Sequence, residues 1–190
     1  MDRNFYQFKK ISSIILFKCS MLIELPDLHR LGSLRRLEII ACSKLRKFPE
    51  GFGDNGAFPL LEILSLVRLE KLKDLPQINE RAMSSLRIFT LMECPTLKIL
   101  PRGYFNLKTL QKIRVYSCSS ILEKSCEEAI TANSMAKVII MSVAKTEKLK
   151  RLYFQLYTKY ESWFCDEFWY TKYGSWSCDE FWCNEFSFRY

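Results

Sequence analysis

Apolar residues return in this chain at fixed internal spacing, as LxxLxLxxCxxLxxLP, and the whole string recurs about every two dozen residues. Ile11, Ile14, Leu16, Cys19, Leu22, Leu25 and Pro26 fill it first, and Leu34, Leu37, Ile39, Cys42, Leu45, Phe48 and Pro49 fill it again. The third copy is Leu61, Leu64, Leu66, Leu69, Leu72, Leu75 and Pro76; the fourth is Leu86, Phe89, Leu91, Cys94, Leu97, Leu100 and Pro101. A fifth starts at Leu110 and runs through Ile113, Val115, Cys118 and Ile121, until Lys124 stands where the next leucine belongs. In each copy the central LxL predicts a short strand with both apolar side chains on one face. A single copy cannot bury that face, so the copies must stack, and each inward leucine then contributes about 1.5–3 kcal/mol. Five strands about 4.8 Å apart make a short, curved parallel sheet roughly 20 Å across.

The starts at 11, 34, 61, 86 and 110 lie within the period of leucine-rich repeats. The predicted class is α/β: a short leucine-rich-repeat solenoid with a curved parallel sheet, a C-terminal helical cap and an aromatic tail. Cysteine at the ninth template position, the closing Leu-Pro and the phrase CPTLKILP at 94–101 resemble the C-terminal repeats of plant nucleotide-binding leucine-rich-repeat immune receptors. The resemblance covers about 11–122. It implies a module that senses pathogen-derived or host proteins and helps hold an upstream nucleotide-binding switch inactive. Extracellular plant receptor repeats carry LxGxIP, which this sequence lacks, so the intracellular class is the closer match and a cytoplasmic location is expected. The phosphate-cradling GxxxxGK[ST] string does not occur here, and nucleotide binding is not carried over.

Charge divides the chain. Residues 1–122 carry 20 basic and 11 acidic groups, 123–160 carry 7 and 4, and 161–190 carry 2 and 6. The last segment also holds all four tryptophans, so it is foreign in composition to what precedes it. Residues 1–10 read as a lead-in with no cap of their own, which leaves the first copy's edge exposed. Ser125, Cys126, Glu127 and Glu128 suggest a capping box, followed by Ile130, Met135, Ile139 and Val143 at helical spacing. Leu149, Leu152, Tyr153, Leu156, Tyr157 and Tyr160 fall on one face of a second helix, making 123–160 a helical hairpin that caps the array. SWFCDEFW at 162–169 returns as SWSCDEFW at 175–182, two copies and too few for a solenoid. Order and disorder are both left open for this tail.

No reaction chemistry is evident. Four of the eight cysteines share one template position where Leu69 replaces them once, which asks for a small buried apolar group rather than a ligand. Cys165, Cys178 and Cys183 lack the paired spacing of a zinc site. His29, the single histidine, falls on a connecting loop with no nucleophile motif nearby and reads as exposed. Asp166-Glu167 and Asp179-Glu180 are adjacent pairs without a cleft. The expectation is a non-enzyme with no catalytic residue, metal or cofactor. The net charge of +8 comes from scattered residues, which disfavours nucleic acid, and no apolar run reaches membrane-spanning length.

Between the leucines, alternation turns residues onto the concave face. Phe17, Ile40, Val67, Met92 and Tyr116 form an apolar column there, beside a mixed column of Ile15, Glu38, Ser65, Thr90 and Arg114. Lys18, Arg36, Arg68, Glu93 and Lys112 rim it. An exposed apolar stripe of this kind suits protein docking, so Phe17, Ile40, Val67, Met92, Tyr116, Arg36, Arg68 and Arg114 are the expected partner-binding residues. The partner is a protein ligand or an upstream receptor domain, with no small-molecule substrate. The alternative is the substrate-binding part of a ubiquitin-ligase adaptor.

Overall fold

A computed structural model describes residues 11–132, 137–141 and 186–189. Each copy of the repeat forms one coil that opens with a five-residue strand: β1 (Ser13–Phe17), β2 (Arg36–Ile40), β3 (Ile63–Val67), β4 (Ile88–Met92) and β5 (Lys112–Tyr116). They pair in parallel and in sequence order. The result is a solenoid of stacked coils sharing one sheet.

Register follows the template without a slip. Ile14, Leu37, Leu64, Phe89 and Ile113 lie side by side, as do Leu16, Ile39, Leu66, Leu91 and Val115, and all ten are fully buried in one continuous apolar interior. A one-residue shift would turn every one of these side chains to the opposite face. Directly after each strand the backbone enters the left-handed region, at Lys18, Ala41, Arg68, Glu93 and Ser117, with φ between 50° (Ser117) and 56° (Ala41). That conformation costs a non-glycine residue about 1–2 kcal/mol. It is offset by a hydrogen bond into the next coil: the N–H groups of Lys18, Ala41, Arg68 and Glu93 donate to the carbonyls of Ile40, Val67, Met92 and Tyr116 at 2.8–2.9 Å. The turn also swings the ninth template residue inward, where Cys19, Cys42, Leu69 and Cys94 are fully buried.

The return side of the coils carries a second apolar layer that the template does not contain. Leu28, Phe52, Phe58, Ile78, Met83, Tyr104 and Leu107 join the interior, with the Phe52 ring edge to face with Phe58 and tilted against Phe48, and Tyr104 stacked on Phe89 at 5.0 Å. Tyr104 belongs to a single helical turn, α1 (Arg102–Phe105). The coils approach so closely here that a Cβ at Gly53 would stand 1.9 Å from the Gln77 carbonyl oxygen, and one at Gly103 would stand 2.5 Å from that of Ile78. Short hydroxyl side chains tie carbonyls of one coil to the next: Thr96 donates to Leu72, Thr109 to Leu86 and Ser119 to Leu97.

Beyond the fifth strand the structure departs from the sequence reading. A helix, α2 (Ser120–Ala132), starts five residues before the expected capping box, with the Ser119 hydroxyl accepting from the Leu122 N–H at its start. Its helical step puts Leu122 inside and leaves Ile121, the residue that fits the template, 54% exposed. The array therefore leaves its own pattern one position earlier than Lys124 suggests. Next comes β6 (Lys137–Met141), a sixth parallel strand on β5, so Ile139 lies on a strand and not on the helix expected there. The second helix of the expected hairpin falls outside the described residues.

The opposite edge is also not bare. β7 (Phe186–Arg189) pairs antiparallel with β1, Ser13 opposite Arg189 and Leu16 opposite Phe186. Instead of the exposed first edge expected from the sequence, the backbone groups on the outer side of β1 have partners. Most of the aromatic tail, including both SW-CDEFW copies, lies outside the described residues.

Candidate functional site

Strand pairing assembles the expected column in full. Phe17, Ile40, Val67, Met92 and Tyr116 are the last residues of β1 to β5 and stand in register as one unbroken row. Ile15, Glu38, Ser65, Thr90 and Arg114 make a second row beside it. Both rows lie on the face opposite the apolar interior, as the alternation requires.

The first row is not the open stripe expected. Its members are only 2% (Phe17) to 8% (Tyr116) exposed, and in the second row Ile15, Glu38 and Thr90 are buried as well. None of the five apolar residues belongs to the interior cluster, so this row is covered although it lies on the outer face of the sheet. The strands announce this in their composition. SIILF, ILSLV and IFTLM are nearly continuous apolar runs, the mark of a parallel sheet covered on both sides, whereas an open face calls for alternation.

What stays accessible is the charged margin. The Arg36 guanidinium donates to the buried Glu38 carboxylate at 2.9 Å while its side chain remains 43% exposed. Arg68 pairs with Glu93 at 3.5 Å, both part-exposed, and Arg114 is half-buried. The three arginines do not form one cluster. Arg36 opens β2, Arg68 follows β3 and Arg114 sits in the middle of β5, three strand intervals or about 14 Å from Arg36.

His29 is not the exposed loop residue the sequence suggests. Its side chain is 15% exposed, with Nδ1 against the Asp27 carboxylate and the ring packed over Gly51, where it would stand 2.8 Å from a Cβ. The His29 carbonyl accepts from the Phe58 N–H of the next coil. Among the described residues no three His, Cys, Asp or Glu side chains are grouped to hold a metal ion. No helix among them is long and apolar enough to cross a membrane.

The thiols form a feature that template reading alone does not reveal. Leu69 splits the cysteine column into two pairs on adjacent coils, Cys19 with Cys42 and Cys94 with Cys118, whose neighbouring thiols shift one another's ionisation. The neighbouring thiol, followed by burial, pushes Cys42 far above the ordinary thiol range, and the same causes in the same order raise Cys94. Cys118 is half-buried and lies below that range, because the Cys94 thiol stabilises its anion. A scan against protein-family models and a search of curated proteins return no match to this chain.

Proposed function

We propose that this chain is the protein-recognition part of an intracellular plant disease-resistance protein, built of leucine-rich repeats. One observation carries the reading: five coils in strict register align one residue from each coil into unbroken rows on the sheet face opposite the apolar interior. Such a surface suits reading the shape and charge of another macromolecule. The ninth-position cysteines and the Leu-Pro that closes three of the copies support the resemblance to the repeats of plant immune receptors.

Because the apolar row is occluded, the partner meets the margin first. Half-exposed Arg36, Arg68 and Arg114 favour a protein with an acidic contact surface, and charges at such a rim govern encounter more than residence. A photoreactive residue in place of the exposed Lys112, at the head of β5, should crosslink to a partner in plant cells, while one in place of Lys98 should not. Combining Lys112 labelling with Arg36→Glu and Arg114→Glu should cut the crosslink severalfold. Equal yields from both sites, or insensitivity to the reversals, would overturn the reading. The genomic reading frame upstream separates the receptor from the ubiquitin-ligase adaptor: a phosphate-binding loop marks the first, an F-box-like helical segment the second.

A further inference from the structure

We propose that Cys94 and Cys118 form an oxidisable dithiol that closes to a disulfide on meeting a hydroperoxide, clipping the fourth coil to the fifth.

The geometry is set by the repeat. Met92 and Tyr116 are register partners, and Cys94 and Cys118 each follow two residues later by the same backbone path, through left-handed Glu93 (φ 51°) and Ser117 (φ 50°). Pairing continues through this turn, since the Glu93 N–H donates to the Tyr116 carbonyl at 2.9 Å. Both thiols adopt the same orientation, each against the carbonyl two residues back, Cys94 Sγ at 3.5 Å from Met92 and Cys118 Sγ at 3.4 Å from Tyr116. Each thiol shifts the ionisation of the other, as close neighbours do. Parallel neighbours hold their Cα atoms about 4.8 Å apart, inside the roughly 4.4–6.8 Å that a disulfide spans.

The two thiols differ in a way that suits sequential oxidation. Cys94 is fully buried, while Cys118 reaches the surface at the end of the array. Contact with Cys94 lowers the Cys118 thiol's pKa, against the opposing effects of its own burial and of the nearby Glu123 carboxylate. Cys126, on α2, is fully buried and lies outside the register that aligns Cys94 with Cys118. In the first step the Cys118 thiolate attacks the terminal oxygen of the hydroperoxide. The S–O bond forms, the O–O bond breaks, and the alkoxide or hydroxide leaves, so that the sulfur is oxidised to Cys118 sulfenic acid and the peroxide is reduced to an alcohol or water. In the second step the Cys94 sulfur attacks the Cys118 sulfur. The S–S bond forms, the S–O bond breaks, and the Cys94 proton departs with the hydroxide as water.

The molecule contains its own control. Cys19 and Cys42 occupy the same template position on adjacent coils, with the Cys42 sulfur 3.6 Å from the Ile40 carbonyl, but both are fully buried. No sulfur of that pair meets the oxidant.

Full-length reduced protein is treated with equimolar hydrogen peroxide, its free thiols are blocked with N-ethylmaleimide in denaturant, and tryptic peptides are mapped without reduction. The expected product links the peptides 88–98 and 115–124, two hydrogens lighter than their sum, and disappears on adding dithiothreitol. Peptides carrying Cys19 and Cys42 should bear the maleimide. Cys118→Ser should abolish the link and Cys126→Ser should leave it. A Cys118 bridge to any other cysteine, sulfinic acid on Cys118 without a bridge, or a Cys19–Cys42 link at the same dose would overturn the proposal.

Discussion

Tyr104 shows how much a single polar atom can matter in a core assembled by stacking. Its ring is fully buried against Phe89, yet its hydroxyl finds no hydrogen-bond partner among the described residues, and burial pushes its ionisation far above the ordinary phenol range. A buried hydroxyl left unpaired costs about 1–3 kcal/mol of desolvation, while the ring itself is well packed. Tyr104→Phe keeps the stacking and removes the unpaired oxygen. We expect it to raise stability by about 1 kcal/mol in urea unfolding; a loss of similar size would mean that the hydroxyl is bonded after all. His29 teaches the complementary lesson. The sequence assigns it to a loop, correctly, but its burial depends on Gly51 in the following coil, and no local pattern encodes that neighbour.

At the scale of elements, the strands were the most legible part of the chain and the end of the array the least. Each of β1 to β5 starts two residues after the first apolar residue of its copy, because the LxL spacing admits only one orientation that buries both side chains. The return layer of Phe52, Phe58, Ile78, Met83 and Tyr104 was not legible, since the connections differ in length and carry no common spacing. At α2 two periods compete for the same residues. The repeat selects Ile121 as the inward side chain, while the helix beginning at Ser120 selects Leu122, and the helix prevails. Leu122→Ala should therefore cost about 2–4 kcal/mol, and Ile121→Ala should change stability by less than about 0.5 kcal/mol. The reverse order in thermal unfolding would show that the fifth coil keeps the template to its end. Ile139 illustrates the same ambiguity, for its apolar run over 138–141 satisfies a helical spacing and a buried parallel strand alike, and it is β6 that forms.

For the molecule as a whole, the interior and the concave rows were predicted from one rule, yet only the rows' membership followed from it. Alternation decides which residues share a face, and strand pairing aligns them as expected. Whether that face is open depends on what lies across it, which a period cannot specify; the near-continuous apolar strands were the available clue. The candidate site thus consists of the charged margin around an occluded apolar row, and the two ends of the sheet carry β6 and β7. All of this rests on the coils standing one strand spacing apart. Ile23, Arg46, Lys73 and Lys98 occupy the same template position on four successive coils and are exposed, so they measure the stack directly. With cysteine-independent spin labels at Ile23 and at each of the other three in turn, electron paramagnetic resonance should give distances rising by about 5 Å per coil. Distances that fail to rise in that order would contradict a solenoid of stacked coils.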